Sequence, residues 1–592
     1  MNTPTPRARW MVALLAVTLL GLAVRCIRLG AESIDLEEFA CVGALEAPNV
    51  FAFLVEQRAL YPYGAPLVPL LLYFWSGIAG NGILALRIFV LLFGVALIPS
   101  MYFAGVTFFR GERGRWAGLL AATCVALSPM YIYQAQEARM YAFFTLFAGL
   151  SFVALLRATR EESPGWMRLH YAANLLVVSS HLFGVFLLAA QGLWLLFRWW
   201  GQWRALFRWG CINVALSLPA LVWLAFAPTA GETLYSYYAP PPMIAMLNDL
   251  FSDDIVRRSS QALWASPIER SPWPEWHGTL EAIGRYADPA LYWLGVLAVA
   301  GWCVRCVLRM RRSHDGGEVL LLVWYALPML MLVGLSYAGS PIYASRYAAY
   351  SSLALYLILG AGLGALPGVW LRSAALAFVA VLYGYQLLVA LPGPTRTEWR
   401  KALAQVERES AVEAPLLVED PFWLQVLEVN REDNGRVLEG GYKRDTLCDA
   451  AWRCAQAFPG EGNGAWILIL DYRGEGPEGT VNCLREKGLE VSVTRYFGDR
   501  KPYLIHATLD AAPTQQPCPY ALQVARIQKE LNEPWVLDAR RIVRYEPDER
   551  AGLFQRLAFA FAERNQPEAA CAMLVRAAEV SEKVANDLNE IQ

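Results

Sequence analysis

Charge is what this chain lacks most. Of its 592 residues only 17% are Asp, Glu, Lys or Arg, and no run of like charges occurs. The net charge of −1 therefore points to neither a nucleic acid nor an acidic partner. Cysteine is present but unorganised: the 11 Cys include "CVRC" at 303–306, inside an apolar run, and no paired CxxC signature that would frame a metal site. The N-terminal apolar stretch has no small-residue cleavage site after Val24 and further apolar runs follow it, so it reads as the first of several spans rather than a signal peptide. Neither a glycine-rich phosphate loop nor a nucleophile elbow appears in the polar C-terminal part.

Apolar residues are there in abundance. They make up 56% of the chain, with 22 Trp, and runs such as "WMVALLAVTLLGLAV" and "AALAFVAVLYGYQLLVALPG" recur from Trp10 to Ala390 and then stop. A bilayer span needs about 20 such residues, so most of the chain is expected to see lipid rather than water. Basic residues sort the connections: Arg7 and Arg9, Arg110 to Arg115, Arg157 to Arg168, Arg198 to Arg208, Arg305 to Arg312, and Arg372 all fall on one side if that side is the cytoplasm. The spans then lie near 10–29, 83–109, 116–133, 138–156, 169–181, 183–198, 209–227, 288–308, 318–338, 348–366 and 373–391. This predicts about eleven transmembrane helices, a cytoplasmic N-terminus and an extracytoplasmic C-terminal region. The short "GAPLVPLLLYFWSGIAG" at 64–80 reads as re-entrant or interfacial, and Arg25 and Arg28 oppose the sidedness rule.

With that topology the unusual polar residues near span ends gather on the outer face. They are "SIDLEEFACVG" at 33–43, "YQAQEARMY" at 133–141, "SSHLFG" at 179–184, the loop 228–287, and "PIYASRYAAY" at 341–350. Charges at membrane depth cost several kcal/mol unless paired, so they mark a site. The set combines carboxylates (Asp35, Glu37, Glu38, Glu137), guanidiniums (Arg139, Arg346) and an imidazole (His181). Guanidinium forks suit phosphate oxygens, and a carboxylate suits a proton or a metal ion. A lipid phosphate whose head group is transferred fits such a cavity, with arginines on the departing phosphate and a carboxylate taking the proton of an attacking hydroxyl. The aromatic residues of 228–287, Tyr235 and Trp273 among them, read as a lid, and its His277 has no ligand-like neighbour.

In this order an acidic pair after the first span, "ARxY", "SHLFG", "SRY" and "EWR" resemble the polytopic GT-C glycosyltransferases, notably bacterial relatives of protein O-mannosyltransferases and lipid A aminoarabinose transferases, over roughly residues 10–410. The resemblance implies an inverting transferase that takes a sugar from a polyprenyl-phosphate-linked donor to a glycan, lipid or protein acceptor, outside a bacterial inner membrane. Carried over residue by residue, it implies Glu37 and Glu38 as catalytic carboxylates, with Asp35 an alternative register. It also implies substrate-binding roles for Glu137, Arg139, Tyr141, His181, Arg346 and Tyr347. No cofactor is certain, and a divalent metal stays open. Two departures stand out: Glu37 where the family has Asp, and "YPYGAP" at 61–66 where relatives have His-Pro-Pro. A transporter of lipid-linked saccharides would also carry charges in spans, but should contain internal repeats of broken helices, and none is found. A non-catalytic lipid-binding relative is the third reading.

After residue 394 the pattern changes to that of a soluble α/β domain over 395–510, with strands "APLLVED", "AWILILDY", "VSVTRYF" and "YLIHATL" around helical stretches. An exported domain permits a disulfide, and Cys448–Cys454 is one candidate pair. The tail 511–592 reads as helical, with one tetratricopeptide-like hairpin.

Overall fold

A computed structural model describes residues 6–61, 64–225, 293, 296–305, 316–338, 345–390, 397–409, 416–419, 426–427, 430, 438–440, 444–457, 464–470, 476–496 and 502–508. The lid sequence 228–287 and the helical tail 511–592 lie outside the described residues. Two compact units emerge: one of Met1–Ala31 and Glu37–Gly393, the other of Glu32–Leu36 and Pro394–Gln592.

The first unit is helical. Its elements are α1 (Pro6–Cys26), α2 (Leu36–Val42), α3 (Val50–Leu60), α4 (Leu67–Ala79), α5 (Ile83–Phe108), α6 (Gly111–Leu127), α7 (Pro129–Ala135), α8 (Tyr141–Glu161), α9 (Pro164–Ser180), α10 (Gly184–Arg198) and α11 (Trp203–Ala225). They continue with α12 (Val296–Arg305), α13 (Gly317–Ala338), a 3₁₀ turn at Ser345–Ala348, α14 (Tyr350–Leu363) and α15 (Val369–Ala390). Among the described residues five helices are long and apolar enough to cross a membrane: α1, α5, α8, α11 and α13. The bent pair α6–α7 makes a sixth if counted as one span. The chain is an integral membrane protein. Shorter apolar helices are α10, α12, α14 and, over Val369–Tyr385, α15, and parts of the expected spans near 209–227, 288–308 and 373–391 lie outside the described residues. At 13 residues α4 is about 20 Å long, too short for a full crossing.

Small residues set the packing of the bundle. A methyl group added to Gly118 of α6 would sit 2.3 Å from the Tyr102 carbonyl of α5, and one on Gly360 of α14 would sit 2.5 Å from the Ala117 carbonyl. Backbone approach this close is how helices associate where lipid removes the hydrophobic drive between them. Trp324 stacks on Phe152 at 4.4 Å and donates to the Tyr350 carbonyl, joining α13, α8 and α14.

The bend between α6 and α7 has a covalent cause. Pro129 lacks the N–H that would bond the Val125 carbonyl, and the chain turns by 64° there. Arg25 of α1 takes over: its Nη2 donates to the Val125 carbonyl (2.7 Å) and its Nη1 to those of Ala126 (2.9 Å) and Gly21 (3.0 Å). The arginine that opposed the sidedness rule is thus a fully buried helix cap.

The second unit is α/β. A five-stranded sheet has the order β2-β1-β3-β5-β4, with β1 (Leu416–Val418), β2 (Leu438–Gly440), β3 (Ala465–Leu470), β4 (Glu490–Arg495) and β5 (Pro502–Thr508). β1 runs parallel to β2 and β3, whereas β5 is antiparallel to β3 and β4. Helices α16 (Trp399–Glu409), α17 (Arg444–Ala457) and α18 (Glu478–Glu486) accompany it. The disulfide joins Cys448 of α17 to Cys483 of α18, not to Cys454, which is buried and outside the bond. Cys448 and Cys454 sit on one helix, where six residues rotate the second side chain about 240° from the first. The segment 32–36 is held in this unit by Asn430, which accepts the Ile34 N–H and donates to the Ile34 carbonyl, both at 2.7 Å.

Candidate active site

The first acidic segment folds as the short helix α2, and its adjacent carboxylates have different fates. Glu38 is fully buried against Arg87 of α5. Arg87 Nε donates to Oε1 (2.9 Å) and Nη2 to Oε2 (2.7 Å), while the Ala138 N–H also reaches Oε1 (2.7 Å). Arg87 further donates to the Leu29 carbonyl (3.0 Å). Glu38 is therefore a brace that ties α2 to α5 and to the 136–140 turn.

Glu37 faces the other way and keeps 37% of its side chain exposed. Arg139 Nη1 donates to its Oε2, and Arg346 Nη2 to its Oε1 at 2.6 Å. Burial raises the Glu37 carboxyl, but Arg346 and then Arg139, by charge and hydrogen bond, outweigh it and hold the group down at about 2. Asp35 belongs to the segment grouped with the second unit. Glu137 is buried and accepts from Arg139 Nη1 at 3.3 Å.

Each arginine rests on the tyrosine that accompanies it in sequence. The Arg139 guanidinium lies 4.8 Å from the Tyr141 ring centroid, and that of Arg346 5.6 Å from Tyr347. His181 joins the two shelves, with ring centroids 5.7 Å from Tyr141 and 5.3 Å from Tyr347, and it also packs on Phe144 and Phe183. Its Nδ1 accepts the Phe183 N–H at 3.2 Å. The structure thus brings Glu37, Arg139, Tyr141, His181, Arg346 and Tyr347 together, with Glu137 behind Arg139.

Arg87 was missed, hidden in the apolar run "ILALRIFVLLF"; a lone arginine near the start of such a run was the available signal. Tyr61 was missed as well. It opens the "YPYGAP" stretch and lies within electrostatic reach of Arg139, Tyr347 and Glu37, its hydroxyl pushed up by burial. Cys41 stands nearby, its thiol raised to about 12 by burial, with Arg139 pulling the other way. Among the described residues no three His, Cys, Asp or Glu side chains are grouped to hold a metal ion.

Solved structures similar to this chain include ArnT from Cupriavidus metallidurans bound to undecaprenyl phosphate, at 14% identity and a TM-score of 0.47, covering 86% of this chain and 99% of that one. The Archaeoglobus fulgidus oligosaccharyltransferase in complex with zinc and sulfate matches at 13% identity and a TM-score of 0.45, over 77% of this chain and 68% of that one. The chain resembles GT-C glycosyltransferases of known structure at low identity. No family model matches it, and neither does any curated protein.

Proposed function

We propose that this chain is an inverting membrane glycosyltransferase that moves a sugar from a polyprenyl-phosphate carrier to an acceptor hydroxyl on the extracytoplasmic face. The observation that carries the reading is the convergence of Arg139 and Arg346, from distant segments, on one half-exposed carboxylate. Planar guanidiniums fixed on aromatic shelves are suited to phosphate oxygens, and they stabilise the charge that develops as the phosphate leaves. In the reaction, the acceptor oxygen bonds to the anomeric carbon from the face opposite the phosphate. The carbon–oxygen bond to phosphate breaks, its electron pair leaves on the polyprenyl phosphate, and the hydroxyl proton passes to Glu37. Glu38, locked to Arg87, positions Glu37 and does not touch the sugar.

Export of the C-terminal unit is supported by its disulfide, since such bonds persist in oxidising compartments.

The test is transfer by the purified chain from an undecaprenyl-phosphate-linked sugar to a cell-envelope acceptor fraction. Parent and Asp35→Asn enzymes are expected to transfer, while Glu37→Gln loses at least about 100-fold. A fully active Glu37→Gln enzyme removes the base from Glu37. No preference of the parent for a prenyl phosphate over the corresponding alcohol ends the reading altogether.

A further inference from the structure

Glu37 occupies the position in which an anion would be bound. Its two oxygens each take a hydrogen bond from a different guanidinium, the arrangement that two phosphate oxygens would adopt between the same forks. We propose that the Glu37 carboxylate fills the phosphate seat between Arg139 and Arg346 while no donor is bound, and that a prenyl phosphate enters by displacing it. The inference rests on the transferase reading and adds to it a competition between an internal carboxylate and the substrate.

Charge is the first argument. The pocket as it stands balances Arg139 and Arg346 against Glu37 and Glu137. A phosphate added with Glu37 still in place would put two anions between the same pair of cations, and like charges at that separation repel. Freedom of movement is the second. Glu137 is buried, and Glu38 is pinned by Arg87 and the Ala138 N–H, so neither yields. Glu37 is more than a third exposed, so its side chain has room to swing while the pinned neighbour keeps the backbone in place. A third feature favours the incoming ligand: the Nε atoms of Arg139 and Arg346 are buried with no hydrogen-bond partner while Glu37 holds the seat, and the differently arranged oxygens of a tetrahedral phosphate offer them acceptors.

Displacement would also prepare the chemistry. Held by both guanidiniums, Glu37 is a weak base; released by the arriving phosphate it loses the charges that stabilise its ionised form and becomes a stronger one. Donor binding and base activation would then be one event.

Equilibrium binding of farnesyl monophosphate to the detergent-solubilised full chain tests this, with farnesol as the neutral control. Glu37→Gln should bind the phosphate about 10-fold tighter than the parent, and Glu37→Asp, which keeps the charge on a shorter arm, should lie between. Adding Arg346→Gln to Glu37→Gln should abolish the gain. Equal or weaker phosphate binding by Glu37→Gln overturns the displacement, since phosphate and carboxylate would then share the arginines. That result leaves the transferase reading intact provided the parent prefers the phosphate to the alcohol. If Glu37→Gln unfolds, as judged by size exclusion and thermal melting, Glu37→Asp alone decides, and binding no tighter than the parent refutes the proposal.

Discussion

Among the described residues of the helical unit, two polar clusters differ in how completely they are closed. One is the site around Glu37. The other lies among α8, α9, α10 and α11, where Ser151, His170, Asn174, Gln191, Asn213 and Trp209 form a buried network. Asn174 Nδ2 donates to Asn213 (2.7 Å) and Gln191 (3.0 Å), Gln191 donates to the Ser151 hydroxyl (2.8 Å), and Trp209 donates to His170 Nε2 (3.0 Å). With Nε2 accepting, Nδ1 carries the His170 proton, toward the Ser151 carbonyl at 3.2 Å. Every polar side-chain atom of this network is partnered, whereas the Glu37 site keeps unpartnered Nε atoms on both arginines. A closed network orders helices, and one with donors to spare is built for something that arrives.

The largest break falls on the brace that serves the Glu37 cluster. Arg87→Met should strand Glu38 without its partner and lower stability by about 3–5 kcal/mol, as loss of one member of a buried pair does. Thermal melting in detergent reads this, and a loss under about 1 kcal/mol would show that Glu38 does not depend on Arg87.

Next come the arginines that separate the clusters in function. Arg346→Ala should reduce transfer by about 100-fold, and Arg139→Ala by a similar factor, with Lys restoring only part because it lacks the planar fork. Melting temperatures should move little for Arg346, which is partly exposed. Wild-type kinetics in both alanine variants would remove the phosphate role.

The closed network should behave in the opposite way. Asn174→Ala leaves amide and hydroxyl partners stranded and should cost about 2 kcal/mol of stability, while farnesyl phosphate affinity measured below the melting transition stays unchanged. A loss of affinity without loss of stability would mean the two clusters are not separate in role.

Acid gives a smaller effect with a defined sign. Because the folded-state value of Glu37 is depressed to about 2, its pairing stabilises the fold above the usual carboxylate range near 4.3 and is lost as pH falls through about 2. Discounted for its exposure, the contribution is about 1 kcal/mol at neutral pH. The stability gap between parent and Glu37→Gln should therefore close between about pH 4.3 and pH 2, and a gap independent of pH would contradict it. Smallest of all, His181→Phe keeps an aromatic ring between the two shelves and should change transfer by less than about 10-fold.

The apolar runs made most of the bundle readable, because length and hydropathy alone place α1, α5, α8 and α13. They read less well where a helix carries a polar face: α9 holds His170 and Asn174, i and i+4, and the network they enter is contributed by three other helices. The Glu37 site was legible as a list, since charged residues next to apolar runs are conspicuous. Its pairings were not. Glu37 and Arg346 lie 309 positions apart, and nothing in the local pattern distinguishes Glu37, gripped by two arginines, from Glu38, buried against a third. Arg25 misled the sidedness rule for the same reason, because a cation bound to backbone carbonyls counts as a topological signal only when its partners are unknown. Strand β2, three residues long and edge-placed, left no periodicity to read.

The Arg25 cap also bears on how the chain is made. Pro129 removes the N–H that would have bonded the Val125 carbonyl, the bend follows directly after Ala126, and Arg25 donates to both carbonyls. Their partner is synthesised about a hundred residues earlier, on α1. Membrane insertion in the order of synthesis therefore delivers the donor before the bend that needs it. A helix inserted first can wait for its acceptors with its guanidinium drawn toward the head groups, whereas a bend inserted first would have to hold bare carbonyls in lipid.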